Sequence, residues 1–229
     1  MVPVRTPTRI AAVAVTATLT VALAACTGTS PSTGTGPPPA SSTAAPSSVP
    51  APVSDGVTTT ADVFGPGCSQ LPQGSAPGSP TAMGPLRVVA AAATNPLLTT
   101  LAAAIGTVPG LGDSLDAQPG LTVFAPADTA FVALRGQLGA AAYDALLADP
   151  NKLGALLQYH VAGTRHDAAT LVAARTSGEL TGGVLTIGGT PQDPTVTDGK
   201  GDVATVLCGN IPTANATVFV IDKVLTPAS

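Results

Sequence analysis

The stretch LTVFAPADTAF, from Leu121 to Phe131, constrains the fold of this chain more than any other. Its first half is apolar and includes β-branched Thr122 and Val123, which pack well in a pleated sheet, so it predicts a buried strand. Pro126 is expected to end that strand, because proline lacks the backbone N–H that a sheet requires. Asp128 is expected to cap the helix that follows. A strand, a tight turn and a helix are therefore predicted in immediate succession.

Helical spacing of apolar residues dominates the first half of the globular region. Three segments begin with a capping Asn or Asp: 95–106, 149–160 and 167–172. In the first two the cap is followed by a proline at the first helical position, and Gly106 is expected to stop the first helix. Residues 140–148 predict a further helix, whereas 108–120 predict a loop.

The second half of the chain changes to the pattern of strands. Four β-branched runs are separated by Gly, Pro and Asp turns: 184–187, 195–197, 203–207 and 217–225. Helices first and strands later indicate an α+β domain.

The first 25 residues have the features of an export signal. Arg5 and Arg9 precede residues 10–25, which carry no charge and are too short to span a bilayer, so a removable signal segment is expected. The residues Leu23-Ala24-Ala25-Cys26 resemble a bacterial lipobox, in which the cysteine thiol takes a diacylglyceryl group. Lipidation of Cys26 is therefore expected; the alternative is cleavage at an Ala-x-Ala site with Cys26 incidental.

Residues 26–61 have the composition of a tether. They are mainly Ser, Thr, Pro, Gly and Ala, with Asp55 as the single charge, and offer too little apolar surface to offset the entropy of ordering. The Ser, Thr and Pro density permits O-glycosylation, although a bare linker fits equally well.

If Cys26 carries lipid, Cys68 and Cys208 remain as a pair in an exported protein, which predicts a disulfide. This bond would tie an N-terminal extension, residues 62–85, to the strand expected to end at Leu207. A metal site is the rival interpretation, but the two cysteines lack CxxC spacing and a neighbouring His. No metal or other cofactor is expected.

Three stretches resemble signatures of the fasciclin (FAS1) domain family: TVFAP with Ala130-Phe131, LLQYHV at 156–161, and NATVFVIDKVL at 215–225. The matching residues include Thr122, Phe124, Pro126, Phe131, Asn215 and Asp222. The chain departs from the family at Ala216, where Gly is usual, and at Phe219, where many members have His. GPGC at 65–68 and VLCGN at 206–210 narrow the resemblance to the small secreted or lipid-anchored single-domain members of mycobacteria and their relatives.

This resemblance covers roughly residues 86–227 and implies a single fasciclin-like α+β domain, with helices packed on a wedge-shaped sandwich of two sheets. In animal members the Tyr-His segment has been linked to adhesion through integrins, and Tyr159 and His160 occupy that position. The alternative for His160 is structural: a partly buried ring at a helix end that bonds nearby backbone.

Catalytic chemistry is not expected. The residues Gly112-Asp113-Ser114-Leu115 match the nucleophile motif of one lipase and esterase family. However, they lie in a predicted loop, and no His follows His166 to act as the base. His160 and His166 lack the four-residue spacing of a helical metal pair. Asp222 is expected to be a buried hydrogen-bond acceptor, and Asn215 a structural residue despite its Asn-Ala-Thr sequon.

Charge and composition limit the partners. The formal net charge is −4, and removal of the two N-terminal arginines would make it −6, with no basic cluster, so nucleic-acid binding is not expected. The sequence predicts an extracytoplasmic, monomeric, non-catalytic adhesion or interaction module. It would be anchored to the membrane through Cys26 or partly secreted, and would bind a cell-surface or host protein. The alternative function is a carrier or sensor for a small apolar or lipid ligand held between helices and sheets.

Overall fold

The computed structural model of the protein describes residues 55–228. Within them the α-helices are α1 (Pro80–Met83), α2 (Val88–Thr94), α3 (Thr99–Thr107), α4 (Leu111–Ala117), α5 (Asp128–Leu138), α6 (Ala140–Ala148), α7 (Pro150–Tyr159) and α8 (Ala168–Ala174). The β-strands are β1 (Leu121–Pro126), β2 (Val161–Ala162), β3 (Thr176–Gly178), β4 (Val184–Thr190), β5 (Asp193–Thr197), β6 (Val203–Pro212) and β7 (Ala216–Ile221). Two short 3-10 helices, Thr60–Asp62 and Pro66–Gln70, precede α1.

The strands pair in the order β2-β1-β7-β6-β5-β4-β3. β1 and β7 run parallel, and the other neighbours run antiparallel. β6 pairs with β5 through its first residues and with β7 through its later ones, with register shifts on either side of Cys208. Because such irregularities bend a strand, they divide the strands into two halves that share β6. A bridge between Ala162 and Glu179 brings the two outer edges together, so the sheet is nearly closed.

β1 and β7 lie at the centre of the molecule and are buried along their whole length. On one face, Val123 and Val218 pack into a core formed with α2, α3, α5 and α7. On the other face, Phe124 and Phe219 pack into a second core formed with α8 and the inner side of β4, β5 and β6. The helices therefore pack on the half of the sheet that contains β1 and β7, and this half packs on the half that contains β4 and β5. The expected α+β class is confirmed.

Two of the three aspartates that the sequence predicts as helix caps have that role, and the third caps a different helix. Asp149 and Asp167 cap α7 and α8, as expected. Asp128 does not cap its own helix. Its carboxylate instead accepts hydrogen bonds from Thr99 Oγ1 (2.6 Å) and the Thr100 N–H (2.7 Å) at the start of α3. Burial opposes ionisation of Asp128, but these hydrogen bonds outweigh it and lower its pKa.

The region before β1 contains more helix than the sequence predicted. Asn95 ends α2 instead of starting the next helix, and its side chain accepts from the Leu97 N–H. α3 begins at Thr99 and continues through Gly106 to Thr107. The expected loop at 108–120 contains α4, whose residues Leu111 and Leu115 are buried.

The packed chain begins earlier than the expected boundary at residue 62. The Gly56 carbonyl accepts hydrogen bonds from Thr217 Oγ1 (2.6 Å) and Arg165 Nε (3.2 Å). Leu71 and Met83, in the expected extension, belong to the same core as the helices. Residues 55–85 are therefore part of the folded unit.

No helix within residues 55–228 is both long and apolar enough to cross a membrane. The expected signal segment, the lipidation of Cys26 and most of the expected tether lie outside the described residues.

Candidate functional site

Tyr159 and His160, the expected adhesion segment, are both buried, at 2% exposure each. The His160 ring donates from Nδ1 to the Leu156 carbonyl (2.8 Å) and accepts at Nε2 from the Leu225 N–H (2.8 Å). Both ring nitrogens are thus used by the backbone, which requires the neutral tautomer protonated on Nδ1. The structural alternative for His160 fits this geometry, although the ring is fully rather than partly buried.

The surroundings of His160 keep it neutral. Desolvation by burial lowers the pKa of His160 to about 4, although the hydrogen bond to Leu156 and the charge of Asp198 oppose the change. Tyr159 receives a hydrogen bond at its hydroxyl from the Gly199 N–H (2.9 Å), and burial raises its pKa. A partner could reach these two side chains only if the surrounding structure opened, so their role in adhesion stays a prediction.

Asp198 holds the C-terminal segment beside this pair. One carboxylate oxygen accepts from the backbone N–H groups of Lys200 and Asp202, each at 2.9 Å. The other accepts from the Thr226 N–H and hydroxyl, each at 2.8 Å. Burial opposes ionisation, but these bonds outweigh it and lower the pKa of Asp198. Together with the His160–Leu225 bond, they fix residues 225–226 against the domain.

Glu179 is a buried carboxyl group at the bridge where the two sheet edges meet. Neither of its carboxylate oxygens has a hydrogen-bond partner among the described residues. Burial raises the pKa of Glu179 to about 8; the nearby Ser177 hydroxyl opposes the rise without reaching hydrogen-bonding geometry. Glu179 is therefore neutral at pH 7. No sequence pattern marks Glu179, because its burial depends on the meeting of β2 with the turn after β3.

The motif residues of β1 and α5 have structural roles. The Thr122 hydroxyl donates to the Thr164 carbonyl (2.7 Å) and accepts from the His166 N–H (2.8 Å). The Phe124 ring packs against Phe219, with centroids 6.0 Å apart. Pro126 is the last residue of β1, as expected, and Phe131 is buried in α5.

Asn215 joins three segments from inside the core, at 3% exposure. Its side-chain oxygen accepts from the Val88 N–H (2.9 Å) at the start of α2. Its amide donates to the carbonyls of Leu115 (3.0 Å) and Gln118 (3.2 Å) at the end of α4. The interpretation of Asn215 as a structural residue agrees with this geometry.

Asp222 accepts hydrogen bonds from the Thr205 N–H and the Thr205 hydroxyl, each at 2.8 Å. It is only partly buried, so it is an acceptor as expected but does not lie in the interior. These two bonds connect the end of β7 to the first part of β6.

The expected disulfide is present between Cys68 and Cys208, whose Cα atoms are 4.9 Å apart. It fixes the 3-10 helix Pro66–Gln70 to the middle of β6, which continues past the expected end at Leu207 to Pro212. The backbone of Phe64 pairs with Gly209 beside it.

An apolar cavity lies between the helices and the central strands, where the sequence placed a possible ligand. Its volume is about 30 Å³, and its lining includes Met83, Leu101, Leu157 and Val218. For comparison, an apolar cavity of about 150 Å³ holds one benzene molecule. An acyl chain would require this cavity to enlarge several-fold, so the carrier alternative gains no support from it.

The described residues bring together no group of three or more His, Cys, Asp or Glu side chains that could hold a metal ion. Ser114 lies on α4 instead of in the expected loop and is exposed. His160 has both ring nitrogens engaged by backbone groups and offers no base.

Comparison with known proteins identifies the fold and its relatives. The fasciclin domain model matches residues 96–227. "Immunogenic protein MPB70" of Mycobacterium bovis is 36% identical over 172 residues, which cover 72% of this chain and 83% of that protein. "Cell surface glycolipoprotein MPB83" of the same species is 36% identical over 196 residues, covering 82% of this chain and 81% of that protein.

Among solved structures, a FAS1 domain pair from the insect cell adhesion molecule fasciclin I aligns with a TM-score of 0.46 and 21% identity. The alignment covers 56% of this chain and 45% of that one, so the chain spans less than half of its length. The family model matches more than half of the chain, and the two mycobacterial relatives are similar over most of their own length. The chain therefore belongs to the fasciclin domain family.

Proposed function

We propose that this protein is displayed outside the cytoplasm as a non-catalytic adhesion or interaction module of the cell surface. The observation that carries the proposal is the similarity to cell surface glycolipoprotein MPB83, which covers 82% of this chain and so extends beyond the fasciclin segment at 96–227. The Cys68–Cys208 disulfide supports it, because such bonds persist mainly in oxidising compartments.

Attachment to the membrane would come from lipid on Cys26. The lipobox-like residues 23–26 follow a charged start and an uncharged stretch, and lipid on one cysteine next to a long linker would leave the folded unit free to meet partners. An anchor of this kind needs no basic surface, which agrees with the acidic net charge.

The hydrogen bonding around His160 and Asp198 supports a non-catalytic role. The polar groups that the fold buries around His160 and Asp198 are engaged with backbone groups and hold chain segments together. A reacting substrate would have to compete with these bonds. The adhesion segment at Tyr159 and His160 stays a hypothesis that requires local opening.

Fractionation of cells that express the full-length chain tests display and anchoring. The wild type is expected in the membrane fraction, and globomycin is expected to block its processing. Cys26→Ala is expected to lose membrane attachment. Recovery of the wild type from the cytosol, or processing unchanged by globomycin, would contradict the proposal.

Binding to surfaces is tested separately with beads that carry the full-length chain, disulfide intact, incubated with bacterial and host surface extracts. The wild type is expected to retain a partner, and Cys26→Ala beads are expected to retain the same partner because the anchor and the folded unit are distinct. Beads that retain nothing above a blank would contradict the role as an interaction module.

A further inference from the structure

The outer edges of the sheet meet at a short seam, which we define as Val161 and Ala162 of β2 together with Glu179 and Leu180 after β3. Ala162 and Glu179 form an isolated bridge, and the Leu180 N–H donates to the Val161 carbonyl (2.9 Å). β2 and β3 are only two and three residues long. Segments with so little backbone pairing open at a lower free energy than the core, so the seam can open while the rest of the sheet stays paired.

Glu179 places a carboxyl group inside this seam. The residue is 6% exposed, and neither of its carboxyl oxygens has a hydrogen-bond partner among residues 55–228. The Ser177 hydroxyl, two residues earlier in β3, is also buried without a partner. The salt bridge within the described residues joins Lys152 to Asp149, so no cation pairs with Glu179. Because a buried charge without a partner costs several kcal/mol, the closed seam requires Glu179 to be protonated.

The ionisable groups around Glu179 keep their own charge states while Glu179 titrates. On α7, the Tyr159 phenol is influenced by the charge of Glu179, but burial raises the pKa of Tyr159 and keeps it neutral. His160 has a pKa of about 4, and Asp198, which acts on both rings, has a lowered pKa and stays ionised. β2, β3 and β4 contain no ionisable side chain. Between pH 4.5 and about 8, Glu179 is therefore the group at the seam whose charge changes.

The turn that follows Glu179 covers the ring of Tyr159. The Glu179 N–H donates to the Gly183 carbonyl (2.8 Å), which closes the turn. Gly183 lies so close to the Tyr159 ring that a Cβ at this position would be 2.6 Å from Cε2. Movement of the turn away from β2 would therefore uncover Tyr159.

We propose that Glu179 controls a pH-dependent local opening of the sheet: when its carboxyl group loses a proton to solvent, the seam opens, the carboxylate reaches water and Tyr159 is uncovered. Uptake of a proton closes the seam again. The open form is a minor state whose population rises with pH, because ionisation in the open form is free of the cost of burial. This opening is a property of the fold and does not depend on the proposed function.

Amide hydrogen exchange of the full-length chain, with its disulfide intact, tests the opening. The protection of the Leu180 amide, corrected for the chemical exchange rate, is expected to fall about five- to ten-fold per pH unit between pH 5 and 8. Glu179→Gln and Glu179→Met cannot ionise, so in both variants this protection is expected to stay constant with pH. Asp193→Asn, which removes an exposed carboxylate from β5, is the matched control and is expected to keep the wild-type slope. Equal slopes in the wild type and the Glu179 variants would overturn the proposal.

The urea dependence of exchange separates local opening from unfolding of the whole domain. Exchange at Leu180 is expected to be insensitive to low urea concentrations, because opening of the seam exposes little surface. Exchange at Val218, in a strand that is paired on both sides, is expected to accelerate with urea. The same acceleration at both amides would show that the seam opens only in global unfolding, and the proposal would fail.

A direct titration of the carboxyl group completes the test. Glu179 is the only glutamate in the chain, so ¹³C-labelled glutamate gives one side-chain carboxyl signal in an NMR spectrum. This signal is expected to titrate near pH 8 and not near the ordinary value of 4.5. A midpoint near 4.5 would mean that the closed seam accepts the ionised carboxylate, which contradicts control of the opening by Glu179.

Discussion

Glu179 is a carboxyl group that the fold holds in its neutral form at pH 7. Its pKa is about 8 in the folded protein and ordinarily 4.5, so between these values the folded chain keeps a proton that the unfolded chain has lost. The contribution of Glu179 to the unfolding free energy is complete below pH 4.5 and decreases as the pH rises to about 8. Relative to Glu179→Gln, which cannot ionise, the wild type is expected to lose roughly 1 kcal/mol of unfolding free energy per pH unit across this range.

Urea unfolding of wild type and Glu179→Gln at pH 5, 6, 7 and 8 measures this difference. Asp193→Asn, which removes an exposed carboxylate at the start of β5, is the control and is expected to follow the wild type. Parallel pH profiles for the wild type and Glu179→Gln would show that the Glu179 carboxyl is solvated.

His160 is expected to resist protonation. Its pKa is about 4 when folded and ordinarily 6.5, so the unfolded chain binds a proton first, and stability decreases as pH falls from 6.5 towards 4. The ring would give up the Leu225 N–H on protonation. As the pH is lowered in an NMR titration, His166 is expected to become protonated before His160, because His166 is less buried and its pKa is lowered less. A titration of His160 near 6.5 would show that the ring is open to solvent.

At the residue scale, the sequence predicts the type of interaction better than the partner. Asp128 was expected to cap a helix and does so, but the helix is α3, which begins 29 residues earlier in the chain. Residue type makes a short carboxylate a good cap, whereas the choice between two helix ends depends on how they pack. Glu179 shows the same limit, since an exposed and a buried Glu look alike in a sequence.

At the scale of elements, Asn215 connects β7 to the start of α2 and the end of α4. Asn215→Ala would remove three hydrogen bonds and leave buried backbone groups unpaired, so it is expected to lower the unfolding free energy by about 3 kcal/mol. Thermal and urea unfolding measure the loss, and Asn151→Ala on the exposed start of α7 is the control, expected to change stability by under about 0.5 kcal/mol. Equal stability of the two variants would contradict the connecting role.

Elements with a strong local pattern were predictable, and those fixed by distant contacts were not. α7 has a cap, a proline start and a clear apolar face, and its bounds are close to the predicted 149–160. α4 carries only two buried leucines between glycines, so its sequence resembles a loop. β2 and β3 are two and three residues long and depend on pairing with β1 and β4. The parallel pairing of β1 with β7 joins segments about 95 residues apart, which no local pattern specifies.

At the scale of the whole molecule, the N-terminal segment completes the fold. Gly56 is bonded to Arg165 and Thr217, and Leu71 lies in the helical core. The sequence predicted the disulfide that fastens this segment but placed residues 55–61 in a tether, because they contain few large apolar side chains. The Gly56 carbonyl is held by the side chains of Thr217 and Arg165, which come from distant parts of the chain, so composition does not reveal this contact.

The disulfide is expected to supply a large part of the stability of this unit. Cys68 and Cys208 are 140 residues apart, and closing a loop of that length restricts the unfolded chain by about 4–5 kcal/mol in the chain-entropy model. The double variant Cys68→Ala, Cys208→Ala is therefore expected to unfold at a lower urea concentration, with a loss of about 2–5 kcal/mol. Cys26→Ala is the matched control, because it removes a cysteine outside residues 55–228 and is expected to keep the wild-type midpoint. If the double variant and this control share one midpoint, the bond contributes nothing, and packing alone holds residues 55–85 on the domain.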